Sequence, residues 1–520
     1  MKRFLVTACL AASFVAAPPA LAISGLPSTN VAWLPAATDA DIARAFAQAR
    51  AEKKAVLLYW GATWCPPCNQ LKATLFNRQD FATLARSFVS VHVDGDRPGA
   101  QKLGSRFKVS GYPTLVLFHA DGSEITRLPG EVDAPQALAV LQFGLSGGRP
   151  VKAVLADALA GKALSANEWR MLAFYSWETD EQQLVSRMDL PGTLVQLAVA
   201  SPAADPETTT RLWLKSLAAS DDGQGVKPDA ALRERVLRVL ADPAQSRVQM
   251  DVLVNAASEI VKALEPDAGA GRTAVSAAFD AALKRLQADT TLSRGDRMEA
   301  LTSRIRLARL DLPKDTVHVT LPEPLLKDLR EQVARADREI TDGYERMAVI
   351  TAAGHALGLA GLWAESDALL KANLERSHAP YYLMTQLGRN AARLGRKDEA
   401  LRWYAQAFDR SEGPATRLQW GAAYLAALVE LAPQDRARIA RTAERLIDEA
   451  AKDSAAFEGR SARSLRRVSS TLEAWNAQGK QAATLERLRR QLGRVCAGLG
   501  RADAQRATCE ALLKPAPGKA

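Results

Sequence analysis

Residues 55–68 read Ala55-Val56-Leu57-Leu58-Tyr59-Trp60-Gly61-Ala62-Thr63-Trp64-Cys65-Pro66-Pro67-Cys68, and the fold is decided there. Ala55 to Trp60 is a continuous apolar run, the pattern of a strand buried on both faces. Trp64-Cys65-Pro66-Pro67-Cys68 follows it directly, and Cys65 to Phe76 continues as a helix. Two cysteines so placed carry a particular chemistry. A thiolate, not a thiol, attacks a disulfide, and the free N–H groups and dipole of a helix N-terminus lower a thiol pKa. Cys65 is therefore expected to be the exposed attacking sulfur. Cys68, on the first turn, is near enough to close a small disulfide with it. A zinc knuckle or an inert staple is the competing reading. Zinc wants four ligands, and with Cys9 expected to leave with the N-terminal segment, only the distant Cys496 and Cys509 could complete such a set. The five His residues show no ligand spacing, so no metal is expected.

Around this stretch, helix and strand alternate. Thr38 can cap a helix whose apolar positions Ile42, Ala45, Phe46 and Ala49 follow the helical period. Phe88 to Asp94 reads as a second strand and Gln101 to Phe107 as a short helix. Thr114–His119 and Glu124–Leu128 flank the hairpin signal Ala120-Asp121-Gly122, and Asp133 to Leu145 closes the unit as a helix. The order after the opening helix is β-α-β-α-β-β-α. Gly111-Tyr112-Pro113-Thr114 precedes the third strand, where a cis proline would face the cysteine pair and its neighbour's backbone could pair with an extended client.

With WCxxC, this proline and the terminal hairpin and helix, residues 38–145 resemble a thioredoxin-fold domain. The resemblance implies thiol–disulfide exchange, with Cys65 nucleophilic, Cys68 resolving, and Trp64, Tyr112 and Pro113 on the substrate side. No cofactor is implied beyond the Cys65–Cys68 disulfide itself. Two departures stand out. Thioredoxins carry a buried Asp six residues before the first Cys, where this chain has Tyr59, and the usual Lys partner aligns with Ser90. His92 and Asp94 share a strand face with Ser90 and are candidates to handle the Cys68 proton. Pro66 and Pro67 lack N–H groups, so fewer donors reach a Cys65 thiolate, which points to a reducing couple.

Ser146-Gly147-Gly148-Arg149-Pro150 reads as a linker, and beyond it strand-like runs nearly vanish. Ser165 and Glu168 form a capping box, and the aromatics from Trp169 to Trp177 read as helical core. Farther on, Gly354 and Gly388, Gly361 and Gly395, Leu370 and Tyr404, and Pro380 and Pro414 all share one offset of 34 residues. That helix–turn–helix period resembles the tetratricopeptide repeat. Cys496 and Cys509 flank Gly498-Leu499-Gly500, the turn of a final helix pair. A structural bridge, free buried thiols and a relay site for Cys65 and Cys68 are all open to them.

The N-terminus has a basic start, an apolar stretch from Phe4 to Ala17 and a small-x-small exit at Ala20-Leu21-Ala22. It reads as a signal peptide cleaved after Ala22, which predicts a periplasmic or secreted chain with no membrane span once cleaved. The net charge of +10 is spread without a block of Lys or Arg, so a nucleic-acid partner is not expected. Aromatics at 6% with abundant Ala, Leu and Arg favour helices over sandwiches or barrels.

The expected architecture is an α/β thioredoxin fold followed by a large all-α, partly tetratricopeptide-like region. Its divisions are a signal peptide over 1–22, the thioredoxin-fold domain over 23–146, a helical region over 147–330, and repeats with the C-terminal helix pair over 331–520. The expected activity is that of an exported thiol–disulfide oxidoreductase working on protein clients, together with a redox partner. The helical region would dock the client or the partner. A protein-binding helical scaffold, with the redox domain secondary, is the alternative.

Overall fold

The computed structural model describes residues 31–130, 132–202, 205–220, 225–313 and 315–514, so the expected signal peptide lies outside the described residues. The α/β part runs β1 (Leu34–Ala36), α1 (Asp39–Glu52), β2 (Ala55–Gly61), α2 (Pro66–Ala73), α3 (Gln79–Leu84), β3 (Phe88–Asp94), α4 (Ala100–Arg106), β4 (Thr114–Phe118), β5 (Glu124–Pro129) and α5 (Ala134–Leu145). The strands lie in the order β1-β3-β2-β4-β5. β3 is parallel to β1 and β2, while β4 is antiparallel to β2 and β5. After Leu145 every regular element among the described residues is a helix.

Three local differences from the sequence reading have physical causes. β1 is a three-residue edge strand containing Pro35, a residue tolerated at a sheet edge but a poor strand signal. α3 adds a short helix between α2 and β3. α2 itself stops at Ala73, and Phe76 turns into the core instead of continuing the helix.

The strand period of two divides β2 between two cores. Val56, Leu58 and Trp60 pack with α1 residues Ile42, Ala45 and Phe46 and with Val91 and Val93. Leu57 and Tyr59 face the opposite side, with Leu75, Phe76, Phe81 and the α5 residues Leu138 and Leu141. This second core does not end at the expected linker. Val151, Leu155, Trp169, Leu172, Phe174, Leu194 and Leu212 belong to it, so the first helices after Pro150 are built onto the sheet. The Ser165–Glu168 capping box forms, and Trp169, Phe174, Tyr175 and Trp177 are buried core residues.

From Gly343 the helices come in pairs: Gly343–Leu359 with Trp363–Ala372, Pro380–Arg393 with Lys397–Arg410, and Pro414–Leu431 with Arg436–Ala451. Gly361 and Gly395 make the turns within the first two pairs at φ +77° and +71°, a conformation suited to glycine. A Cβ on Gly354 would meet Leu370 at 2.7 Å, and one on Gly388 would meet Tyr404 at 3.1 Å. These two glycines, 34 residues apart, thus sit at matching close crossings. Among the described residues no helix is long and apolar enough to cross a membrane.

Candidate functional site

Cys65 is the N-cap of α2, immediately after the β2 strand, and its Sγ accepts a hydrogen bond from the Cys68 N–H at 3.3 Å. Pro66 and Pro67 take the first helical positions, where a missing N–H does not weaken the helix. The same two residues deny the sulfur two donors, leaving the Cys68 amide. Asn69 Nδ2 donates to Thr63 O at 2.8 Å and to Cys65 O at 2.9 Å, fixing the link from strand to helix. The Tyr112–Pro113 peptide is cis, and the Trp64 and Tyr112 rings meet edge to face at 6.2 Å.

The expectation of an exposed Cys65 is not met. Cys65 is 3% exposed and Cys68 0%. Both lie in a cluster with Trp64 and with Met347, Tyr381, Met384 and Trp420 from the paired helices. The Trp420 ring meets Trp64 at 5.0 Å, and Tyr382 stacks on Trp64 at 5.8 Å. His378 Nε2 donates to Thr63 O at 3.0 Å. Local pattern fixes that Cys65 begins a helix, whereas its exposure is set by residues more than 280 positions away. Burial, and then the adjacent Cys68, push the Cys65 thiol well above the ordinary cysteine range. The helix N-terminus therefore does not yield a resting thiolate here.

A charged contact closes the same face. Arg460, at the start of the Gly459–Trp475 helix, pairs with Asp96 and lies over the rings of Trp64 (4.9 Å) and Tyr112 (5.0 Å). Asp96 Oδ2 also accepts from Trp64 Nε1 and from Thr416 Oγ1, each at 2.6 Å. Gln101 Nε2 donates to the Tyr112 hydroxyl at 2.8 Å, and its Oε1 accepts from Arg460 N at 2.7 Å. Arg463 donates to Ser110 O at 2.9 Å. Trp64 and Tyr112 pack in the cluster that holds the cysteines, and in this state their neighbours include other parts of the same chain.

Behind the pair lies a buried titratable floor. Tyr59 pairs in register with His92, and the two rings stack at 4.8 Å. The Tyr59 hydroxyl is buried with no oxygen or nitrogen partner. Burial first, and the neighbouring Cys68 sulfur second, hold it protonated. Burial lowers His92 to about 3, so it stacks on Tyr59 as a neutral ring at neutral pH. Burial, then Asp96, raises Asp94 to about 6. Lys72 follows Cys68 by four residues, the spacing that puts side chains on one helix face. It is 1% exposed, with its ammonium 4.9 Å from the centre of the Tyr344 ring. Burial lowers its pKa. The sequence reading missed Lys72, although its spacing from Cys68 was a usable signal. It also missed Asp96, Tyr382, Trp420 and Arg460, for which no local signal exists.

The thioredoxin-like domain family model matches residues 42–145. A thioredoxin-like protein of Synechocystis is 33% identical over 89 residues, covering 17% of this chain and 80% of that protein. The chain belongs to the thioredoxin-like family. The thiol:disulfide interchange protein DsbD 2 of Pseudomonas aeruginosa is 32% identical over 116 residues, 22% of this chain and 20% of that protein. The chain thus spans about a fifth of the length of the interchange proteins it matches. A thioredoxin of Thermus thermophilus, known from a solution structure, matches at 27% identity over 22% of this chain and 86% of that one, with a TM-score of 0.20. The family match stops at 145, so the covering helices lie outside it.

Cys496 and Cys509 are joined in a disulfide, with Cα atoms 5.7 Å apart. They tie the Ala482–Gly498 helix to the Gln505–Ala511 helix. Being bonded to each other, they are not available to complete a zinc site with Cys65 and Cys68.

Proposed function

We propose that this protein is an exported thiol–disulfide oxidoreductase that reduces disulfides in protein clients through Cys65 and Cys68. The observation that carries the reading is the placement of the pair at the first turn of α2, straight after a buried strand, with Trp64 and Tyr112 packed beside it. In the first step the Cys65 thiolate attacks one sulfur of a client disulfide. That S–S bond breaks, a Cys65–client disulfide forms, and the other client sulfur leaves and takes up a proton. Cys68 then loses its proton and attacks Cys65 Sγ. The Cys65–Cys68 disulfide forms, and the second client sulfur departs to be protonated in turn. Two electrons have passed to the client, and a dithiol protein acting as redox partner must return them.

The reducing direction is supported by what surrounds Cys65. With Pro66 and Pro67 contributing no N–H, the Cys68 amide is the one donor seen on the sulfur, and little stabilises the thiolate. A couple whose reduced form is poorly stabilised is a better reductant. The helical region, with its tetratricopeptide-like pairs, is read as the part that engages the client or partner. Insulin reduction by the dithiol form tests the activity, and a redox titration against glutathione or dithiothreitol tests the direction. The expected potential is near the thioredoxin end, roughly −270 mV. A value above roughly −180 mV, in the range of isomerases and oxidants, would contradict the reducing assignment.

A further inference from the structure

We propose that the helical region keeps the redox site latent. On this account Cys65 reacts with a disulfide only after the helices carrying Tyr382, Trp420 and Arg460 lift from it, and the Asp96–Arg460 contact is the latch. The inference rests on the exchange reading above and adds a regulatory step to it. Three separate sets of contacts occupy the positions a client would need. Trp420 and Tyr382 cover Trp64 beside the nucleophile. Thr63 O and Ser110 O, on either side of the cysteine face, are taken by His378 and Arg463. Asp96, in the loop after β3, is held by Arg460 and Thr416 from two different helices.

The cover is built so that it can part. The residues around Cys65 form a small cluster of their own, distinct from both sheet cores and from the cores of the paired helices. Lifting the helices that carry Tyr382, Trp420 and Arg460 breaks that cluster and the polar contacts named above, while neither sheet core contains a residue of those helices. A latch made of one buried ion pair suits this purpose, because water compensates both charges once they separate. Opening changes reactivity in two ways. It admits the client, and it removes the burial that keeps the Cys65 thiol neutral, so that the Cys68 N–H and the helix N-terminus can stabilise a thiolate.

The test is alkylation of Cys65 by iodoacetamide in the reduced full chain, followed by mass spectrometry at that residue. Native protein should react at least about a hundredfold more slowly than denaturant-unfolded protein. Its rate should rise with urea well below the global unfolding transition seen by circular dichroism, the signature of sub-global opening. Asp96→Asn and Trp420→Ala should each speed native alkylation about tenfold or more while the helical spectrum is retained. Native alkylation as fast as in the unfolded chain would overturn the proposal. So would a urea dependence that follows global unfolding alone, a result obtained on the unsubstituted chain even if a variant fails to fold. Insulin reduction by the Asp96→Asn protein separates the two readings. If Cys65 is accessible there yet transfers no electrons, the exchange assignment fails, while the alkylation rates still judge the latch.

Discussion

The chain holds two cysteine pairs that differ in almost everything except the sulfur. Cys496 and Cys509 are 13 residues apart, lie on successive helices and are bonded. Their neighbours Leu488, Leu492 and Leu512 are apolar. Cys65 and Cys68 share one helical turn and are free thiols. They stand among Tyr59, Lys72, His92 and Asp94 and under an aromatic and ionic cover. A disulfide set in an apolar surround restrains the chain. Thiols set at a helix N-terminus over a titratable floor can exchange. The surroundings of the sulfur, more than cysteine itself, separate the two roles.

The contrast can be broken most sharply by removing each pair. Cys65→Ser should lower insulin reduction by about a thousandfold or more, since the attacking sulfur is gone. The double change Cys496→Ser, Cys509→Ser should leave that rate within about twofold. It should instead lower stability by roughly 3 kcal/mol, the entropy of closing a short loop, read as a shifted urea midpoint. If the C-terminal variant lost activity with its fold intact, a relay role for Cys496 and Cys509 would return.

A smaller effect sharpens the difference in the floor. Asp94 is raised in the folded chain to about 6. A raised acid contributes fully below its unfolded pKa and loses that contribution as pH climbs through the folded value. Asp94→Asn keeps the acceptor that receives the Asp96 N–H at 3.0 Å and never ionises. Its stability relative to the unsubstituted chain should therefore be unchanged near pH 4 and higher by roughly 2–3 kcal/mol at pH 7, measured by urea unfolding at both pH values. The smallest change concerns the paired helices. Gly388→Ala gains helix propensity but presses on Tyr404, and a net loss of about 1 kcal/mol is expected. A gain would mean that the crossing has room to spare.

Much of the α/β part was legible because its signals are local. The apolar run into Trp64-Cys65 gave strand, turn and helix in one stretch, and the Gly-Tyr-Pro-Thr quartet marked the cis proline. β1 was hidden by Pro35 at an edge, and the early end of α2 by Phe76, whose apolar character fits a helix and a core turn equally well. The offset of 34 residues located the glycine crossings in the paired helices. The cover could not be read in the same way. Tyr382, Trp420 and Arg460 look like ordinary residues of amphipathic helices, and only the packing of the helical region on the α/β part, through Gly343–Leu359 on α2 and Gly459–Trp475 on α4, brings them to Cys65. The packing of the helices after Ser146–Pro150 onto the sheet was hidden for a related reason. Val151 and Leu155 continue the helical period that a separate domain would show, and the sequence does not reveal that their partner is the sheet.

Exchange at this site requires that Cys65 attacks and Cys68 resolves. The most direct measurement is trapping with Cys68→Ala in the full chain, reduced and incubated with oxidised insulin, then resolved without reductant. The account predicts a covalent adduct that dithiothreitol releases and that maps to Cys65, absent when Cys65 is also replaced by Ala. No adduct from Cys68→Ala, or an equal adduct through Cys68 when Cys65 alone is replaced, would contradict it.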